Sequence, residues 1–279
     1  MYKDLLVAPT KTAGDANALG YAVEMAARHR AHLTVLQTVD LTIAHPWGLS
    51  PDPAMGAIHE RLRAAAAEEA ASLRSALANE SVISEVRVTE SPFSTPAQIA
   101  AQHARFKDIT VMSGADSGGS PDWTRVHGIF SELLLGSGRP VLVIPPGYSR
   151  REAVRHVMVA WTPTRESARA LHDALPLLHA ASSVDLLELD PAAEQSGEDG
   201  QPITDIAMHL ERHGLKVNLM TRQRQAQSVA SALLGYAEDS DADLLVAGGY
   251  GHSRLREWTL GGATRDLLRH SPIPVMYSH

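Results

Sequence analysis

Short apolar runs alternate with amphipathic stretches along the whole chain. Leu5–Ala8, Leu33–Val39, Val86–Thr89, Ile109–Met112 and Val141–Ile144 are nearly continuous apolar segments, rich in β-branched residues and bounded by Gly, Pro or Asp. They are too short for helices and read as strands. A run apolar on both sides suits the interior of a parallel sheet, where helices cover both faces. The stretches between them carry a helical period. Asp15–Arg30 places Leu19, Val23 and Ala26–Ala27 on one face, and a segment opening at Pro163-Thr164 and Glu166 carries Leu171, Leu175 and Leu178 as its stripe. Strand–helix alternation implies right-handed crossovers and an open α/β sheet.

The pattern occurs twice. Asp4-Leu-Leu-Val-Ala-Pro-Thr10 matches His156-Val-Met-Val-Ala-Trp-Thr162, and Asp108-Ile-Thr-Val-Met-Ser-Gly114 matches Ala242-Asp-Leu-Leu-Val-Ala-Gly248. Arg139-Pro-Val-Leu-Val-Ile-Pro145 matches Ile273-Pro-Val-Met-Tyr-Ser-His279. The offset is 152 at Val7 and Val159, 150 at Asp40 and Asp190, and 134 at Gly114 and Gly248. The halves therefore run nearly in register, with extra residues in the first between Leu41 and Asn79, a Pro-rich loop and a long Ala-, Glu- and Arg-rich packing helix. A period of about 140 residues is too long for a solenoid and means two copies of one domain. The expected division is 1–148 and 149–279, joined at the turn-rich Pro145-Pro146-Gly147-Tyr148-Ser149-Arg150.

Composition narrows the function. The net charge of −7 and an aromatic content of 5% argue against nucleic acid as a partner. The chain has no cysteine, which removes disulfide scaffolds, Cys-ligated zinc and Cys nucleophiles. No basic segment leads into an apolar signal stretch and no window is long enough to span a membrane, so a cytoplasmic protein without membrane contact is expected. No Gly-x-Ser-x-Gly elbow is present. His209 and His213 lie at helical i, i+4 spacing without an acidic partner pattern and read as a solvated helix face, so no metal site is expected.

Ligands of open α/β sheets bind beyond the carboxyl ends of the strands. One such end is informative: Gly248-Gly-Tyr-Gly251-His252-Ser-Arg-Leu-Arg-Glu-Trp-Thr-Leu-Gly261-Gly262-Ala263-Thr264. Glycines let the backbone approach a phosphate, and Gly261-Gly262 opens a helix whose free N–H groups favour an anion. Arg254, Arg256 and Arg265 are placed to add charge-assisted contacts. His252, inside the loop, is either a phosphate contact or merely exposed. A glycine turn ahead of a helix is also often no more than a turn.

With its Gly-x2-Gly-x9-Gly spacing after a strand of a duplicated domain, the chain resembles the universal stress protein family over its whole length, twice. Gly248-Gly-Tyr-Gly-His-Ser-Arg-Leu-Arg-Glu and Ser271-Pro-Ile-Pro-Val-Met are close to the family's wording. The resemblance implies two tandem, open, five-stranded parallel-sheet domains with flanking helices, Rossmann-like in the manner of adenine nucleotide alpha hydrolases. It also implies ATP, held with Mg²⁺, at the glycine loop of many members, whereas others lack the motif. Carried over, Gly248, Gly251 and Gly261 are the phosphate-loop glycines. The next position, usually Ser or Thr, is Gly262, and Thr264 offers a hydroxyl nearby. ATP-binding members carry Asp at the end of the first strand, where Thr162 stands here. In the first half Ser117, His127 and Phe130 replace Gly251, Gly261 and Thr264, and Thr10 replaces the strand-end Asp. A phenyl ring and an imidazole there are expected to crowd the phosphate volume, so no triphosphate site is expected in that half.

Three functional readings follow. The leading one is a non-enzymatic stress-response protein that binds ATP or a related nucleotide in its C-terminal half, since no base or nucleophile stands beside the loop. The others are a slow ATP hydrolase and a ligand-free scaffold for unidentified protein partners. Family dimers often join through last strands, so Val141–Ile144 and Val275–Tyr277 are expected to pair the halves within one chain as a pseudo-dimer, with homodimerisation left open.

Overall fold

A computed structural model describes residues 1–41, 53–115, 122–149, 153–190, 203–250 and 262–279. The first half runs β1 (Asp4–Val7), α1 (Asp15–His29), β2 (His32–Asp40), α2 (Pro53–Leu77), β3 (Ser84–Ser91), α3 (Pro96–Ala104), β4 (Ile109–Ser113), α4 (Asp122–Ser137) and β5 (Val141–Ile144). The second repeats it: β6 (His156–Trp161), α5 (Arg165–Leu178), β7 (Ser183–Leu189), α6 (Ile203–Arg212), β8 (Val217–Arg222), α7 (Val229–Asp239), β9 (Leu244–Gly248), α8 (Gly262–His270) and β10 (Val275–Ser278).

The strands form one ten-stranded sheet in the order β3-β2-β1-β4-β5-β10-β9-β6-β7-β8. Within each half neighbours are parallel, as strand–helix crossovers require. The halves meet where β5 and β10 pair antiparallel, Val141 opposite Tyr277 and Val143 opposite Val275. The expected junction strands thus share one ladder, and two would-be sheet edges disappear into the core.

Alternation along the strands separates two cores. Leu5, Val7, Val157, Val159, Val184 and Leu186 face α1, α2, α5 and α6. Leu6, Met112, Met158, Leu187, Leu245 and Tyr277 face α3, α4, α7 and α8. Phe130 of α4 meets Tyr277 edge-on at 4.9 Å, both fully buried. Helix starts follow local chemistry. Thr95 and Gln98 form a reciprocal capping box at α3, and the Ser228 hydroxyl accepts the Ser231 N–H at α7.

Two details differ from expectation. The buried face of α1 is Ala18, Tyr21, Ala22, Met25, Ala26 and His29, so Leu19 and Val23 lie at its flank. Small alanines let the helix seat closely on the sheet, and a stripe drawn through the larger side chains misses them. β3 is an edge strand and only partly covered: Val88 is 40% exposed.

Candidate functional site

The crossovers open the sheet at one place in the second half. α5 follows β6 onto one face, and α8 lies beyond β9 on the other. β6 and β9 are neighbours, so the chain parts between their carboxyl ends, where open α/β sheets take ligands.

From the β6 side, Thr162 is exposed, and its hydroxyl lies 3.0 Å from that of Ser167. The Thr164 hydroxyl accepts the Ser167 N–H at 3.3 Å and caps α5. Glu166 in the first turn is buried and accepts from Arg165 Nε at 2.5 Å. Burial pushes its carboxyl up, but the Arg165 guanidinium and a backbone N–H outweigh it and hold the carboxyl below its usual range.

From the β9 side, the chain leaves Gly248 through Gly249 and Tyr250. Tyr250 has φ of 65°, and its N–H donates to the buried Thr264 hydroxyl at 3.4 Å. Its phenol lies 2.9 Å from the Ser131 hydroxyl of α4, in the other half. Gly248 is required by packing: a β-carbon there would lie 2.7 Å from Ser167 N and 2.8 Å from Glu166 C, inside the backbone of α5. Gly262, by contrast, has nothing within 4 Å of a built β-carbon among the described residues. The first turn of α8 carries the free N–H groups that favour an anion at a helix N-terminus.

Comparison with known proteins identifies the frame. The model of the universal stress protein family matches twice, over residues 1–137 and 149–279. The chain belongs to the universal stress protein family. A universal stress protein of Synechocystis sp. is 33% identical over 85 residues, a match spanning 29% of this chain and 29% of that relative. A universal stress protein from Archaeoglobus fulgidus shares the fold, with a TM-score of 0.70 at 14% identity over 98% of this chain and 97% of that one. A functionally unknown protein of Pseudomonas aeruginosa PAO1 does so with a TM-score of 0.57 at 15% identity, over 99% and 92%.

In this universal stress protein, Thr162 follows β6, Gly248 ends β9, and Gly262, Ala263 and Thr264 open α8. Gly248 makes room for α5, and Thr264 holds the start of the loop through Tyr250. Gly251, His252 and Gly261, with Arg254 and Arg256, lie outside the described residues. Arg265 is exposed and paired with Asp266 at 3.2 Å. In the first half Thr10 is buried and donates to Asp15 at 2.7 Å. His127 lies inside α4 beside Trp123. Phe130 points into the core, so it does not crowd a phosphate volume as expected.

Sequence reasoning missed Tyr250, Glu166 and Glu188. The last carried a visible signal, a lone carboxylate in the run Leu186-Leu187-Glu188-Leu189. The histidine pair also differs in part from expectation. His213 is exposed, but His209 is half-buried, and both rings meet His172 of α5, with centroids 5.2 and 6.3 Å from it. Among the described residues no group of three His, Cys, Asp or Glu is placed to hold a metal ion, and no helix is long and apolar enough to cross a membrane. A cavity of about 540 Å³ lined by Met25, Val154, Leu175 and Leu177 lies near the carboxyl ends of α1 and α5, remote from the crevice.

Proposed function

We propose that this universal stress protein acts in the stress response by binding ATP or a related nucleotide at the carboxyl ends of β6 and β9, without turning it over. The observation that carries the reading is the crevice itself: two crossovers leave by opposite faces beside a glycine-rich segment, and α8 opens at a glycine whose built β-carbon meets no described residue within 4 Å. Phosphates belong at the first turn of α8 and at the glycine loop, with Gly251, His252 and Gly261 as loop contacts. Mg²⁺, where bound, would neutralise phosphate charge.

The test is a titration of a fluorescent ATP analogue into the wild-type protein and Gly261→Asp. The acidic side chain is expected to abolish saturable binding; equal affinity refutes the loop as the site. A ligand-free scaffold is the second reading, favoured by the Thr162 hydroxyl, which is already engaged by Ser167. Mass spectrometry of small molecules released from freshly purified protein separates the two.

A further inference from the structure

Glu188 is the polar side chain of β7 that the fold does not account for. Asp185, on the same strand, is held by Asn218 Nδ2 at 2.8 Å, by the Tyr236 hydroxyl at 2.9 Å and by His156 Nε2 at 3.0 Å. Glu188 is only 6% exposed and has no hydrogen-bond or ion-pair partner among the described residues. Burial pushes its carboxyl above the ordinary range. A largely buried carboxyl whose oxygens reach solvent but meet no donor among the described residues calls for an explanation.

Its position supplies one. Glu188 is one residue from the end of β7 and pairs in register with Trp161, the last residue of β6. It shares the face of Val184 and Leu186, the face on which α5 begins. Adjacent strands lie about 4.8 Å apart, so the carboxyl is one strand from Thr162 and roughly 10 Å, two strands, from the end of β9.

The first half treats the same register position differently: Val35 pairs with Val7 as Leu186 pairs with Val159, so Gln37 occupies the place of Glu188. Gln37 of β2 is equally buried, but its amide oxygen accepts from Lys11 Nζ at 2.8 Å, and Lys11 also bonds Glu69 of α2 at 2.6 Å. At the offset of 152, Pro163 stands where Lys11 does. The second half therefore has a charged acceptor and lacks the donor that serves it in the first.

We propose that Glu188 sets base specificity, its carboxyl accepting a hydrogen bond from the exocyclic amino group of the bound nucleobase. The inference rests on the nucleotide-binding reading. With phosphates at the loop after β9 and the sugar over Thr162, the base is the part that reaches β7. A carboxylate repels phosphate and an oxo group and attracts an amino donor. Leaving such a buried group unpaired is a strong means of rejecting the wrong ligand.

Calorimetric titration with ATP and with ITP, which carries an oxo group in place of the amino group, tests this in wild type, Glu188→Gln and Glu188→Leu. Wild type is expected to bind ATP about tenfold more tightly than ITP. Glu188→Gln carries an amide that turns its oxygen to the amino group of ATP or its NH2 to the oxo group of ITP and is expected to lose most of that preference, and Glu188→Leu is expected to bind the two within about twofold. If wild type binds ATP and ITP equally, or Glu188→Leu keeps the tenfold preference, the inference is wrong while nucleotide binding stands. If wild type binds neither, both fail. The wild-type ratio alone decides the matter should Glu188→Leu not fold.

Discussion

Gly248→Ala separates two reasons for a glycine in the loop. A glycine kept for phosphate approach tolerates a methyl group without ligand. A glycine kept for packing does not. At Gly248 the added carbon would lie 2.7 Å from Ser167 N, 2.8 Å from Glu166 C and 3.0 Å from Glu166 Cβ. Ordinary contacts of such a carbon begin near 3.4 Å, so the backbone of α5 must retreat by several tenths of an ångström. The first turn of α5 carries the Thr164–Ser167 cap and the Thr162–Ser167 hydroxyl pair, and these move with it. Overpacking against backbone costs about 1–3 kcal/mol. At about 2 kcal/mol the unfolding equilibrium shifts roughly 30-fold. Alanine for glycine in a strand without a clash stabilises instead, by roughly 0.5–1 kcal/mol, so the sign is diagnostic. Urea denaturation followed by circular dichroism provides the measurement, with Gly262→Ala as control. A β-carbon there meets no described residue within 4 Å, and the midpoint is expected to stay within about 0.5 kcal/mol of wild type or rise. A Gly248→Ala midpoint equal to that of the control would refute the packing argument.

Thr95→Ala removes the hydroxyl half of the capping box at α3, which accepts the Gln98 N–H, and leaves the backbone N–H that donates to Gln98 Oε1; it is expected to cost about 1 kcal/mol by thermal denaturation, and an unchanged melting temperature would refute the hydroxyl's contribution. Tyr277→Phe removes a fully buried hydroxyl that has no partner among the described residues, so stability should hold or rise by about 1 kcal/mol, whereas a loss would reveal an uncounted hydrogen bond. Glu188→Gln should gain on wild type as pH rises. Burial raises the folded carboxyl's pKa, so its favourable contribution is fully present below the unfolded value of about 4.3 and is lost as pH climbs through the folded one. Denaturation curves at pH 4 and 7 should show no difference at the first and a more stable variant at the second; a difference independent of pH would be incompatible with this.

The parts of the molecule legible in the sequence were those with a strong period. Continuous apolar runs marked the interior strands because both faces of a parallel sheet are covered. The repeat of Gly114 and Gly248 at matching places marked the duplication. Val88 is exposed because β3 ends up at the sheet edge, a consequence of strand order that no local window contains. The face of α1 was misplaced because alanine is ambiguous: Ala18, Ala22 and Ala26 pack, whereas the larger Leu19 and Val23 border them. Gly248 was legible as a special position, but its cause, the backbone of α5, lies some eighty residues away in sequence. The contact of the Thr264 hydroxyl with the Tyr250 N–H was not legible either. Each such miss concerns a contact made between segments distant along the chain.

The pairing of β5 with β10 has a consequence for the site. Because the two strands run antiparallel, the carboxyl ends of one half lie at the same end of the sheet as the amino ends of the other. α4, which descends toward the start of β5, therefore passes beside the chain leaving β9. Two contacts follow from that geometry: Ser131 meets the Tyr250 phenol at 2.9 Å, and a β-carbon on Gly249 would come within 2.6 Å of Leu134 Cδ2. Tyr250 sits at a positive φ, a costly conformation for a non-glycine residue, and persists only where its surroundings hold it. Thr264 restrains it from its own half and Ser131 from the other. The first half, whose own loop positions have lost the glycine pattern, thereby supports the start of the loop in the second. Duplication in one chain puts that support, carried by Ser131 and Leu134 of α4, in place without an assembly step.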